Sequence, residues 1–190
     1  MSESPAQRAG AGLAAIVEAM ASRRPVPAGG AAAASAVAQG IALLAKGARI
    51  TRRADRDPRL AARLDELAEA AVASFLRDCD AFEAVLDARR AEDAAATAIA
   101  WRGAIEAPLE LLRLTGEALA EVPGVRARAK RSVHADVDAA VTLVVAGAEV
   151  AAANARVNLS RVGDAERGRL SERIRDAVAR LRSAAERARG

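Results

Sequence analysis

A loop rich in proline and glycine is the first candidate for a ligand site. Pro25 and Pro27 restrict the backbone on its approach, and Gly29 and Gly30 come directly before a long alanine-rich segment. Glycine has no Cβ atom, so it permits a positive φ or a close approach of a ligand to the backbone. A helix starting here would point unpaired N–H groups and the positive end of its dipole at the loop. A turn of this composition is, however, more often only a connection.

The chain lacks several common catalytic motifs, which directs attention to polar side chains. One histidine and one cysteine cannot form a His/Cys metal cluster, and neither a P-loop nor a G-x-S-x-G motif is present. What remains for chemistry is polar side chains around a helical cleft, of which His134 is the only histidine. Carboxylates and imidazoles transfer protons, whereas arginine and asparagine bind carboxylates and polar ring edges.

Helices must position these residues, because apolar side chains recur with helical spacing through most of the chain. The spacing predicts one helix around residues 13–20 and another around residues 37–48. Asp57 followed by Pro58 is typical of an N-cap with proline at the first helical position, so we predict a third helix from there to about Arg89.

Three more helices follow in the prediction. The fourth runs from near Ala91 to Ala120, bends at Pro108 and stops at the Val-Pro-Gly sequence of residues 122–124. The fifth is marked by apolar residues at 137–148, and the sixth occupies the C-terminal tail. No segment alternates convincingly like a strand. The sequence therefore predicts an all-α fold, an antiparallel multi-helix bundle.

Composition indicates one helical domain over residues 1–190. Hydrophobic residues make up 52% of the chain and aromatic residues only 2%, so the core must consist of Ala, Val, Leu and Ile. Small side chains let helices approach closely, but each contact buries little apolar area. We therefore expect a homo-oligomer, at least a dimer, with subunits meeting through the face of residues 31–48.

The net charge of +4 argues against most nucleic-acid functions because of where it lies. Residues 161–190 contain nine arginines and five acidic residues, and the rest of the chain is neutral. Apolar residues at helical spacing in this tail favour a packing helix, so we expect no nucleic-acid partner. The longest apolar run, residues 29–45, is short for a membrane span, so we expect no membrane partner and a cytoplasmic location.

Several segments, in the right order, resemble a known family. Residues 25–34, PVPAGGAAAA, are similar to the P-x-P-G-G-G-S-x-x-A signature of the formiminotetrahydrofolate cyclodeaminase and methenyltetrahydrofolate cyclohydrolase family. Residues 80–85 and 106–110 are similar to its D-A-x-A-F-x-x-V and E-x-P-L-E stretches. Residues 136–140 resemble its S-D-x-G-x-A-A segment, and residues 154–159 its closing N-V-R-I-N-L.

The resemblance implies roles for particular residues. Asp136 falls on the family's aspartate and would act as acid or base, with His134 as a second proton-transfer group. Their structural alternatives are an N-cap for Asp136 and a turn residue for His134. The substrate-binding set implied is Pro27, Ala28, Gly29, Gly30, Asn154, Arg156 and Asn158. Arg156 would pair with a glutamate carboxylate and the asparagines with a pterin edge, or these residues merely cap a helix end.

The resemblance also implies the reaction, which is the opening or closing of a ring in a one-carbon tetrahydrofolate. Such an enzyme is a 5,10-methenyltetrahydrofolate cyclohydrolase or a formiminotetrahydrofolate cyclodeaminase, and it needs no metal or other cofactor. Ala28, Ala31 and Asp138 depart from the family pattern where ligand contact is expected. These departures leave two alternatives: a diverged enzyme acting on a non-folate cyclic substrate, and a non-catalytic helical oligomer that binds a protein partner.

Overall fold

Six α-helices make up most of the computed structural model, which describes residues 4–189. They are α1 (Pro5–Ala21), α2 (Gly29–Arg49), α3 (Pro58–Arg90), α4 (Ala94–Arg128), α5 (His134–Asn158) and α6 (Asp164–Arg189). Three short 3-10 turns lie at Arg53–Asp55, Arg131–Val133 and Leu159–Arg161. The β pairing within the described residues is one isolated bridge between Thr51 and Ala129. The predicted all-α fold is confirmed.

The central helix is α2, which packs against α3 and α5, while α4 contacts α3, α5 and α6. Its core positions carry mostly small side chains, and the backbone of α5 comes very close to it. A Cβ atom on Gly147 of α5 would lie 2.7 Å from the carbonyl oxygen of Ala33. We expected residues 31–48 to form close helix contacts between subunits. That expectation is wrong, because the apolar face of this segment packs within a single chain. Ala31, Ala34 and Ala45 are buried inside one chain.

By length and composition, α2 is also the one helix among residues 4–189 that could cross a membrane. Most of it is buried within the bundle, as in the core helix of a folded domain.

The start of α3 follows the sequence prediction. The Asp57 carboxylate accepts hydrogen bonds from the backbone N–H groups of Arg59 and Leu60, at 3.1 and 3.2 Å. Pro58 occupies the first helical position, where a missing N–H costs nothing. The helix ends at Arg90, one residue beyond the predicted end.

The predicted end of α4 is wrong. The helix continues through Pro108 and Pro123 to Arg128, past the stop expected at residues 122–124. Val122 and Val125 are fully buried, so packing of the last turns outweighs the local penalty of a proline in the helix.

Unlike the other helices, α1 has no buried residue. It begins with a capping box between Ser4 and Gln7, which supplies partners for two terminal N–H groups. Leu13 and Val17, on the predicted apolar stripe, are 55% and 58% exposed. A single helix of this length is marginal in water unless its apolar face is covered.

Candidate functional site

The proline and glycine loop leads directly into the first turn of α2. The peptide between Val26 and Pro27 is cis. Ala28 is the N-cap of α2, and its side chain makes no capping hydrogen bond. The N–H groups of the first turn therefore need acceptors from elsewhere in the protein.

One such acceptor is the carboxylate of Asp78, on α3. It accepts a hydrogen bond from the backbone N–H of Ala31. A Cβ atom on Gly30 would lie 1.9 Å from Asp78 Oδ1, so only glycine leaves room for the carboxylate in this position. The glycine is not needed for a positive φ, because no glycine in residues 4–189 has one.

The surroundings of Asp78 favour its protonated form more than water does. Burial raises the pKa of the Asp78 carboxyl above its ordinary value, and the hydrogen bond from the Ala31 amide partly opposes this effect. Half-buried carboxylates with a raised pKa are suited to proton transfer near neutral pH.

Asp78 lies on a cleft of about 170 Å³. The cleft is formed by the loop, the start of α2, α3, α4 and the end of α5. Its lining residues are Pro25, Val26, Ala28, Gly29, Gly30, Asp78, Phe82, Ala104, Asn154, Val157 and Asn158. Five predicted substrate-binding residues are therefore brought together: Ala28, Gly29, Gly30, Asn154 and Asn158. Pro27 is next to the cleft in sequence but does not line it.

The two asparagines lie one turn apart near the end of α5. Asn154 lies beside the start of α2, where a Cβ on Gly29 would be 3.5 Å from Asn154 Nδ2. Asn158 Nδ2 donates a hydrogen bond of 3.0 Å to the carbonyl oxygen of Ala104 on α4. Because one N–H of its NH2 group is used in this way, Asn158 keeps its Oδ1 acceptor and its second N–H for a ligand.

An aromatic wall completes the cleft. The Phe82 ring packs edge-on against Trp101, with ring centroids 6.2 Å apart and an interplanar angle of 76°. The Arg161 guanidinium lies 5.5 Å from the centroid of the Trp101 ring, within the range of a cation–π contact. Trp101 therefore packs against a ring that lines the cleft.

Comparison with known proteins identifies the family. The sequence profile of the family described as Formiminotransferase-cyclodeaminase matches residues 12–176, which include every residue lining the cleft. The chain belongs to the formiminotransferase-cyclodeaminase family. No curated protein sequence matches it.

A solved structure shows the same fold. The crystal structure of formiminotetrahydrofolate cyclodeaminase from Thermotoga maritima matches with a TM-score of 0.81 and 20% sequence identity, over 98% of this chain and 93% of that chain. The six-helix bundle of this family member is thus the cyclodeaminase fold.

Sequence reasoning missed Asp78, although the family pattern contains a signal for it. The stretch D-A-x-A-F-x-x-V was compared with residues 80–85. With Phe82 and Val85 placed on the pattern's phenylalanine and valine, its aspartate falls on Asp78 rather than Asp80. The spacing of the pattern therefore assigns the family's aspartate to Asp78, which is half-buried on the cleft, rather than to Asp80, which is exposed.

The structure does not bring Arg156 into this cleft. A step of two residues turns a helix by about 200°, so Arg156 faces away from both asparagines. It lines a groove between α5 and α6 together with Glu149, Arg182 and Glu186.

Asp136 and His134 lie at the opposite end of α5. Asp136 Oδ2 accepts a hydrogen bond of 2.6 Å from Lys46 Nζ, and His134 Nε2 is 3.2 Å from the Ala129 carbonyl oxygen. The N-cap of α5 is Val133, so the capping role considered for Asp136 is wrong. About 27 Å of helix separates Asp136 from Asn154.

The departures from the family pattern were expected at ligand positions, and two of the three lie outside this cleft. Ala31 is completely buried and does not line the cleft. Asp138 pairs with Arg126 at 2.7 Å near the start of α5. Only Ala28 lies on the cleft, so the loss of polar groups there is smaller than the sequence indicates.

Proposed function

We propose that this chain opens or closes the five-membered ring of a one-carbon tetrahydrofolate, as a 5,10-methenyltetrahydrofolate cyclohydrolase or a formiminotetrahydrofolate cyclodeaminase. The observation that carries the proposal is the Asp78 carboxylate, which sits against Gly30 at the start of α2 and faces a cleft shared with Asn154 and Asn158. Family membership supports the substrate class.

The reaction needs one group that moves a proton and stabilises positive charge. In hydrolysis, water adds to the cationic methenyl carbon, and the Asp78 carboxylate takes the proton that this water loses. The hydroxyl on that carbon then releases its proton to solvent as the formyl C=O forms, the bond to one ring nitrogen breaks, and that nitrogen takes up the proton held by Asp78. In cyclodeamination, an N–H nitrogen of the folate attacks the protonated formimino carbon, and Asp78 transfers the proton that this nitrogen loses to the amino group, which leaves as ammonia. In cyclodeamination, the negative charge of Asp78 also stabilises the cationic methenyl carbon as it forms.

The rest of the cleft would bind and orient the folate. Phe82 offers an aromatic face for a planar ring, and the asparagine amides match the donors and acceptors of a pterin edge. This chemistry requires no metal or redox cofactor. The proposal includes a homo-oligomer, at least a dimer, in the cytoplasm, with the folate as its small-molecule partner.

The test is the loss of methenyltetrahydrofolate absorbance in wild type, Asp78→Asn and Asp80→Asn. Asp80 is the matched control, because it is an exposed aspartate two residues along the same helix. We expect Asp78→Asn to lower the rate by about 10² or more, with Asp80→Asn close to wild type. Equal rates for Asp78→Asn and wild type would contradict the assignment of Asp78.

Asp136→Asn and His134→Gln test the other candidates in the same assay. Within one subunit these residues are too far from the cleft to act there, so we expect little change. A large drop in rate would mean that they reach a cleft from a second subunit. A wild-type protein that neither binds nor converts tetrahydrofolates would favour the non-folate substrate or the non-catalytic oligomer.

A further inference from the structure

We infer that Pro108 is a positioning residue for the cleft: because it has no N–H, it frees the Ala104 carbonyl to hold the Asn158 side chain with its oxygen towards the ligand. The identity of that ligand rests on the proposed function. The hydrogen-bond arrangement of Pro108, Ala104 and Asn158 does not depend on that function.

The inference begins with the helical hydrogen bond that Pro108 cannot make. In a regular helix, the N–H of residue 108 would donate to the carbonyl of residue 104. Pro108 lies inside α4 and provides no donor. Ala104 is only 7% exposed, so its carbonyl cannot rely on bulk water, and a buried carbonyl without a partner is costly.

Asn158 supplies the missing donor from another helix. Its Nδ2 lies 3.0 Å from the Ala104 carbonyl oxygen, and it is the last residue of α5. An asparagine amide can present either its NH2 group or its oxygen to a ligand. Ala104 uses one N–H of this NH2 group, which fixes the plane of the amide. Oδ1 then accepts a hydrogen bond from a donor on the ligand, such as an N–H on a heterocycle edge, and the second N–H stays available to an acceptor beside it.

The same helix provides a matched control. Pro123 also lies inside α4, about 22 Å along the helix from Pro108, and it is exposed and does not line the cleft. Replacing either proline with alanine restores one helical N–H. Only the change at position 108 provides a new donor for the carbonyl that Asn158 uses.

The first experiment measures KM and kcat for methenyltetrahydrofolate, and binding of 5-formyltetrahydrofolate, in Pro108→Ala and Pro123→Ala. We expect Pro108→Ala to raise KM and the dissociation constant about fivefold to tenfold, the effect of one weakened hydrogen bond, with kcat nearly unchanged. Pro123→Ala should bind like wild type. Unchanged binding in Pro108→Ala, or an equal loss in Pro123→Ala, would overturn the inference.

A second measurement needs no ligand, so it separates this inference from the proposed function. The side-chain NH2 resonances of Asn158, assigned by their absence in Asn158→Asp, are followed by NMR in each proline variant. We expect Pro108→Ala to shift them and speed their exchange with water, and Pro123→Ala to leave them in place. Pro108→Gly restores the same N–H should the alanine variant fold poorly. Identical Asn158 resonances in wild type and Pro108 variants would show the inference to be wrong, whether or not folates bind.

Discussion

At the scale of single residues, the proposed proton-transfer role of Asp78 comes with a cost in stability. Its pKa is raised by burial, so the folded protein binds this proton more tightly than the unfolded chain does. The resulting contribution to stability is full below the unfolded pKa and is lost as pH rises through the folded pKa. Asp78→Asn should therefore gain in stability relative to wild type as pH rises towards neutrality, as urea unfolding at several pH values would show, while its activity falls.

The same substitution, glycine to alanine, should have different consequences at Gly30 and at Gly29. In Gly30→Ala the new methyl group would overlap the Asp78 carboxylate and push it from its place. A displacement of about 1 Å at a reacting group can cost about 10² in rate, and we expect a loss of that order. In Gly29→Ala the methyl group meets Asn154 at an ordinary 3.5 Å.

Steady-state rates of the two glycine variants, with circular dichroism to check helical content, test this difference. Gly29→Ala should keep most of its activity, and both variants should stay helical. Similar rates for the two variants would mean that the Asp78 carboxylate has no need of the space at Gly30.

At the scale of helices, the contact between α2 and α5 depends on Gly147. A Cβ there would lie 2.7 Å from both the Ala33 carbonyl oxygen and Val37 Cγ2, and a backbone atom in a packed helix cannot move aside cheaply. We expect Gly147→Ala to lower the free energy of unfolding by about 1–3 kcal/mol.

Gly103→Ala is the helical control, because nothing lies within 4 Å of a Cβ placed at that position. The added methyl group reduces the flexibility of the unfolded chain, so this variant should be about 1 kcal/mol more stable. Urea unfolding compares the two. A Gly147→Ala protein as stable as Gly103→Ala would show that the two helices can separate without cost.

Helices could be predicted from the sequence where local signals and packing agree. Asp57 and Pro58 mark the start of α3 because a cap and a proline act within one turn. The end of α4 was missed because the penalty at Pro123 is local, whereas the burial of Val125 depends on helices distant in sequence. The same limit applies to the cleft: Gly29 and Gly30 have a sequence signature, but the contact between Gly30 and Asp78 exists only when α2 packs on α3.

At the scale of the whole molecule, α1 predicts how copies of the chain associate. Leu13 and Val17 on its apolar stripe are exposed within one subunit, so we expect a dimer at micromolar concentration that buries them. Leu13→Glu combined with Val17→Glu should shift the protein to monomers, as measured by light scattering. Ile99→Glu is the control, since Ile99 is a 65% exposed apolar residue on α4. A monomeric wild type, or a double variant that stays dimeric, would contradict this role for α1.

The position of Trp101 makes intrinsic tryptophan fluorescence a reporter of the cleft. Trp101 is the only tryptophan in the chain, which has no tyrosine, so essentially all indole emission comes from a ring in contact with the Phe82 wall and the Arg161 cation. A ligand that moves Phe82, or that absorbs where indole emits, changes this signal without any attached dye. Occupancy of the cleft can therefore be followed in real time in every variant that keeps Trp101, including those too slow to turn over.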